Sequence, residues 1–184
     1  MSSLRFPGKM MASLAGMPLV EYIYRRCEKS LVPKVMIATS DDKSDDMLYS
    51  YCRKNKLLVI RGSLNNVLER YIRAGEFLEA DYIVRVCGDT PLVDMSLIDK
   101  LVEFLISNKL DYVSLNRETC AAGFYSEATT LQALKKAASL TDDKEDLEHV
   151  TKFIIDNKGI FLVKFLDTDL NPEFIRGRRL TIDY

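Results

Sequence analysis

Short apolar runs alternate with longer amphipathic stretches along this chain, and that alternation restricts the fold more than any other feature. Lys34-Val-Met-Ile-Ala-Thr39 reads as a short buried strand, Leu57 to Ile60 as a second closed by Gly62, and Tyr82 to Val86 as a third ending in Cys87-Gly88-Asp89. Helical patterns lie between them. Residues 18 to 30 place Leu19, Val20, Ile23 and Cys27 on one face, with Pro18 near the first turn, where a missing N–H costs little. Ser40 or Asp41 is placed to cap a helix carrying Met47, Leu48, Tyr51 and Cys52. Residues 64 to 78 turn Val67, Leu68, Tyr71 and Ile72 inward, and Ser96 to Ser107 carries the most regular apolar stripe. The repetition predicts an α/β fold, doubly wound, with a mostly parallel sheet flanked by helices, and it places function at the carboxyl ends of the strands. Further on, Asp111 to Leu115 and Ile160 to Leu166 read as strands, and residues 129 to 139 and 144 to 157 as helices.

A chain of 184 residues has the size of one domain and buries roughly 70% of the surface its unfolded form exposes, so it needs no covalent staples. Its 26 Lys and Arg against 27 Asp and Glu give a net charge of -1, which removes the simplest argument for a nucleic-acid partner. Cys27, Cys52, Cys87 and Cys120 lie far apart, and His149 is the only histidine, so a Cys/His zinc site is not expected. Each cysteine sits in or beside an apolar stretch, which fits reduced thiols in a cytoplasmic protein. No apolar run approaches the ~18 residues of a membrane span, and Gly16 and Pro18 interrupt the weak signal-like stretch from Met10 to Val20.

Three segments have chemical potential. Ser2-Ser3-Leu4-Arg5-Phe6-Pro7-Gly8-Lys9 combines small residues with two cations, a composition suited to a polyphosphate or to a basic terminus. It is not a Walker loop, because Met10 follows Lys9 where Ser or Thr would bind magnesium. Asp89 follows an apolar strand and offers either an oxygen ligand for Mg²⁺ or a cap for the next turn. Thr181-Ile182-Asp183 repeats that arrangement. Asp167-Thr168-Asp169 is a three-residue match to a glycosyltransferase metal motif and carries little information.

Taken together, the chain resembles the cytidylyltransferases of the spore-coat-polysaccharide and acylneuraminate type. The resemblance rests on Arg5-Phe-Pro-Gly-Lys9, Leu14-Ala-Gly-Met-Pro-Leu19, Ala38-Thr-Ser-Asp-Asp42, Arg61-Gly62 with Val67-Leu-Glu-Arg-Tyr71, Ile83 to Leu92, Glu148-His-Val-Thr151, and Leu180-Thr-Ile-Asp-Tyr184. It implies a Rossmann-like nucleotidyltransferase fold over residues 1–184 as a single domain. It further implies transfer of CMP from CTP to a sugar acid or related sugar, with release of pyrophosphate and with Mg²⁺ as cofactor. Position by position, Ser2, Ser3, Arg5 and Lys9 match the loop that wraps the triphosphate. Thr39, Asp42, Gly62 and Arg70 match the nucleoside site, and Asp89 and Asp183 match the metal-binding carboxylates. Arg85 is implied to orient Asp89 or meet phosphate, although a strand Arg paired with a structural carboxylate reads equally well. His149 matches a family histidine near the sugar, although a lone His more often serves as a core or capping residue. Related enzymes are often dimers, which extends the expectation to a homodimer.

The departures from the family pattern are specific. The usual first strand ending in Gln-Ala-Arg does not precede Met1 in this sequence, and the usual last helix does not follow Tyr184, so the domain is expected to be truncated at both ends relative to the family. The usual Asp-Gly-Leu-Asp is Ala122-Gly-Phe-Tyr125, Asn66 stands for a common Asp, and Lys152 replaces a usual Pro. These changes sustain a rival expectation, a non-catalytic α/β protein that binds a nucleotide or oligomerises.

Overall fold

The computed structural model describes residues 8–169 and 178–182. A short hairpin, β1 (Ser13–Leu14) with β2 (Met17–Pro18), leads into α1 (Leu19–Cys27). Then come β3 (Ile37–Ser40), α2 (Asp46–Lys54), β4 (Val59–Gly62), α3 (Val67–Phe77), β5 (Tyr82–Arg85) and α4 (Met95–Ser107). After them run β6 (Tyr112–Leu115), β7 (Glu127–Thr130), α5 (Leu131–Leu140), α6 (Lys144–Glu148), α7 (Lys152–Asp156) and β8 (Val163–Leu166). The helices start where side chains can take orphan N–H groups. Asp94 accepts from the Ser96 and Leu97 amides at α4, Asn66 from Glu69 at α3, and Thr130 from Ala133 at α5.

The expected α/β architecture is present, and the sheet is mixed. β3 and β4 pair in parallel as a two-stranded unit, while a four-stranded unit runs in the order β5-β7-β6-β8. Within it β6 and β8 are parallel, but β7 is antiparallel to both β5 and β6. The predicted helix from residue 129 therefore begins two residues later, after a strand that period alone did not supply. The predicted helix 144 to 157 is two short helices, because Val150 adopts φ 56° between them, a left-handed conformation that a β-branched residue strongly disfavours.

Burial explains the layers. Leu101, Leu105, Val113, Leu115 and Ala128 form one core beneath α4, and Leu68, Tyr112, Leu134, Ile154 and Phe161 form another beneath α3 and α5. Each fully buried Leu of these clusters contributes about 1.5 to 3 kcal/mol relative to an exposed one. Val20, Tyr24, Leu48, Cys52 and Leu57 close a third cluster over β3 and β4.

The four cysteines are free thiols. Burial pushes Cys27, Cys52 and Cys120 up to about 11 from the ordinary 9. A thiol whose pKa is higher folded than unfolded keeps its full contribution below the unfolded value and loses it as pH rises through the folded one. The urea midpoint is therefore expected to hold steady up to about pH 8 and to fall between about pH 9 and 11. A midpoint as high at pH 11 as at pH 8 would contradict that expectation.

Candidate active site

Two groups of predicted residues come to the carboxyl ends of strands. The first gathers at β5. Lys9 Nζ donates to Asp89 Oδ2 at 2.9 Å and to the Ile182 carbonyl at 3.3 Å, while the Ile182 amide donates to the Asp89 carbonyl at 2.9 Å. The structure thus joins three segments that are remote in sequence. Asp89 Oδ1 carries no hydrogen bond among the described residues, and the side chain is 26% exposed.

Gly123 brings the last of these segments in. The Leu180 amide donates to the Ala122 carbonyl at 2.7 Å, and a Cβ on Gly123 would lie 2.6 Å from the Leu180 carbonyl carbon. Gly123 also has φ +107°, so a side chain there is opposed by both conformation and space.

The second group lies at the ends of β3 and β4. Asp45 Oδ2 accepts from the Thr39 hydroxyl at 2.6 Å, the Ser40 hydroxyl at 2.6 Å and the Ser40 amide at 2.9 Å. Burial opposes its charge, yet these donors hold the carboxyl below the ordinary carboxylate range. Asp42 caps the following turn by accepting from the Ser44 amide at 2.8 Å. Gly62 lets Arg70 pass close over the strand end, since a Cβ there would sit 2.7 Å from Arg70 Cγ. Arg70 Nε is buried without a hydrogen-bond partner, and burial lowers the guanidinium pKa.

Arg85 is used differently. It pairs with Glu127 across the β5–β7 register, and Glu127 Oε2 also accepts from the Tyr112 hydroxyl at 2.6 Å and the Thr151 hydroxyl at 3.0 Å. Glu127 is 3% exposed while the Arg85 side chain keeps 23% exposure, so the pair is buried on its carboxylate side only. Although burial alone would lower it, the Glu127 charge holds the Arg85 guanidinium above its ordinary value. Burial likewise pushes the neighbouring Tyr71 hydroxyl up to about 12. Of the two readings of Arg85, the structure displays the structural carboxylate.

Several expected residues fall elsewhere. Ser2, Ser3, Arg5 and Asp183 lie outside the described residues. His149 is exposed at the end of α6, and Asp167 is held by Asn116 Nδ2 at 2.7 Å, which makes it a loop tie. Asp45, Glu127 and Thr151 were missed as network members. A lone Glu in an Ala/Thr-rich strand was the only available signal for Glu127.

A family model described as cytidylyltransferase matches residues 1–183. The chain belongs to the cytidylyltransferase family. It is 32% identical to the spore coat polysaccharide biosynthesis protein SpsF of Bacillus subtilis, covering 100% of this chain and 78% of that one. A 3-deoxy-manno-octulosonate cytidylyltransferase of Trichlorobacter lovleyi is 32% identical over 58% of this chain and 42% of its own. The structure of a cytidylyltransferase from Leptospira borgpetersenii superposes with a TM-score of 0.90 at 28% identity, covering 100% of this chain and 78% of that chain. Family membership makes this cytidylyltransferase a nucleotidyltransferase with the nucleotide-diphospho-sugar transferase fold. No described helix is long and apolar enough to cross a membrane.

Proposed function

We propose that the chain transfers CMP from CTP to a hydroxyl of a sugar acid or related sugar in polysaccharide biosynthesis. The carrying observation is the Lys9–Asp89 contact, which sets a cation of the N-terminal segment beside a strand-end carboxylate with one open oxygen. The sugar oxygen forms a bond to the α-phosphorus, the bond to the bridging oxygen breaks, and pyrophosphate leaves with that electron pair. The hydroxyl proton passes to solvent water as the new bond forms.

The chain's own residues favour this chemistry by position and charge. In this reading Lys9 meets the β- and γ-phosphate charge, and Arg70 Nε presents a buried donor that an acceptor on the nucleoside would satisfy. Leaving such a donor unmade costs about 1 to 3 kcal/mol. Arg5, with Ser2 and Ser3, completes the phosphate loop in this reading, and Thr39, Asp42 and Gly62 form the nucleoside wall.

Mg²⁺ suits Asp89, because that ion takes oxygen ligands and is commonly held by one or two carboxylates plus substrate phosphates. No group of three or more metal-binding side chains occurs among the described residues, so substrate oxygens and Asp183 would supply the remaining ligands. When bound, the ion neutralises charge developing on the phosphates. The described thiols, all free, support a cytoplasmic setting, and the family match over residues 1–183 supports one nucleotidyltransferase unit over residues 1–184.

The test is CTP-dependent pyrophosphate release with a panel of sugar acids and neutral sugars. Release with one sugar class and not with ATP, GTP or UTP is the expected result. CTP binding without release on any sugar would identify a nucleotide-binding protein instead.

A further inference from the structure

Lys9 and Asp89, which the proposed transfer uses on different partners, are bound to each other in this structure. Lys9 Nζ lies 2.9 Å from Asp89 Oδ2, and the two side chains are 17% and 26% exposed. A pair so far withdrawn from solvent is screened less than one on the surface.

The contact is not needed to hold either segment in place. The Ile182 amide donates to the Asp89 carbonyl at 2.9 Å, and the Thr90 hydroxyl and amide close the turn by donating to the Cys87 carbonyl at 2.7 and 3.3 Å. On the other side, the Met11 amide donates to the Gly8 carbonyl at 2.8 Å and the Ala12 amide to the Lys9 carbonyl at 3.1 Å. Met10 packs so closely that a Cβ on Gly88 would lie 2.7 Å from its Sδ. Backbone bonds and packing thus fix both segments, and the ammonium sits at the end of a flexible four-carbon stem.

What the ammonium adds is charge. Asp89 Oδ1 has no hydrogen bond among the described residues and suits a divalent cation. A cation there stands roughly 4 Å from the ammonium on Oδ2, a separation at which like charges repel strongly in a partly buried site. A triphosphate reverses the balance, because it offers Lys9 several charged oxygens in place of one. We propose, building on the nucleotidyl-transfer reading, that Lys9 is a nucleotide-operated gate on the Asp89 carboxylate. Paired with Asp89, it keeps divalent cations off; drawn to the triphosphate, it gives the carboxylate back. Metal binding then depends on nucleotide, and by linkage nucleotide binding depends equally on metal.

The probe is Mn²⁺, which favours the same oxygen ligands as Mg²⁺, with the unbound ion read by electron paramagnetic resonance. The full chain is used without sugar, either alone or in excess over CTP. Without nucleotide, Lys9→Met is expected to bind Mn²⁺ at least tenfold more tightly than the wild type, and adding Asp89→Asn is expected to remove that gain. Lys9→Arg keeps the charge and is expected to match the wild type. A merely structural Lys9 gives the opposite sign, since a loosened site holds every ligand less well. With CTP, the tightening of Mn²⁺ binding is expected to be at least tenfold larger in the wild type than in Lys9→Met. Circular dichroism checks the fold, and Lys9→Gln replaces Lys9→Met should the latter fail to fold.

Equal Mn²⁺ affinity in wild type and Lys9→Met without nucleotide overturns the gate. A gain that survives Asp89→Asn also overturns it, because the ion then sits elsewhere. An identical effect of CTP in the two chains overturns the triphosphate as the trigger. If both Mn²⁺ results are as expected but no sugar yields pyrophosphate, the transfer reading falls and the gate stands.

Discussion

Asp89→Asn is expected to lower kcat/KM for CTP by about a thousandfold, on the order of 4 kcal/mol, with little change in folding stability. The substitution keeps the size of the side chain and removes its charge. It therefore weakens both the hold on a divalent cation and the pairing that positions Lys9. Steady-state pyrophosphate release, with a urea melt as control, measures the two effects separately, and full activity in Asp89→Asn would remove this carboxylate from the site. Lys9→Ala is expected to weaken CTP binding by about 1.5 to 3 kcal/mol, the range for a hydrogen bond to a charged group, and to weaken CMP binding much less. Equal losses for the two nucleotides would place Lys9 away from the outer phosphates.

The largest effect on stability is expected at Glu127. Glu127→Ala leaves Arg85 charged and half-buried, and strands the Tyr112 and Thr151 hydroxyls that donate to Glu127 Oε2. Removing one partner of a fully buried ion pair costs about 3 to 5 kcal/mol, and the solvent that reaches Arg85 places this variant toward the lower end. A urea titration should show a clearly lower midpoint. Replacing both charges, with Arg85→Met and Glu127→Leu together, should restore most of the loss, since apolar residues of similar volume often match a buried pair. If the double variant is as unstable as the single one, the hydroxyls and not the charges set the cost.

The elements that were legible in the sequence are those whose local pattern and tertiary role agree. α4 is the clearest example. Its apolar stripe is regular, Asp94 caps it, and Leu101 and Leu105 are fully buried. β7 is the counterexample. Glu127-Ala-Thr-Thr130 alternates neither in polarity nor in size, and it is a strand because β5 and β6 pair with it from both sides. Partners outside the segment, one of them brought in from about 40 residues away, decide its state, so no local reading finds it. The break at Val150 is similar. Nothing in its side chain favours φ 56°, and the conformation is imposed where Thr151 must turn its hydroxyl to Glu127.

The candidate site divides along the same line. Lys9 and Asp89 were visible because each ends a recognisable segment. Asp45 was hidden because its function is to satisfy Thr39 and Ser40, two polar residues whose burial is known only from the fold. Glu127 was hidden for the same reason, through Arg85.

The strand order also sets a timetable for assembly. Ile37 and Val59 pair across roughly 20 residues, so the β3–α2–β4 unit closes over a short loop, whereas Tyr112 waits for Val163 roughly 50 residues later. β7 must arrive before β5 and β6 share a sheet at all. During synthesis, then, the β3–β4 half is already closed while the β5 half has no neighbour, and α3, which packs on β3, β4, β5 and α5, is held on its second side only once α5 is made. A chain halted before residue 127 presents a finished amino-terminal unit with an open flank, the species most exposed to mispairing on the ribosome.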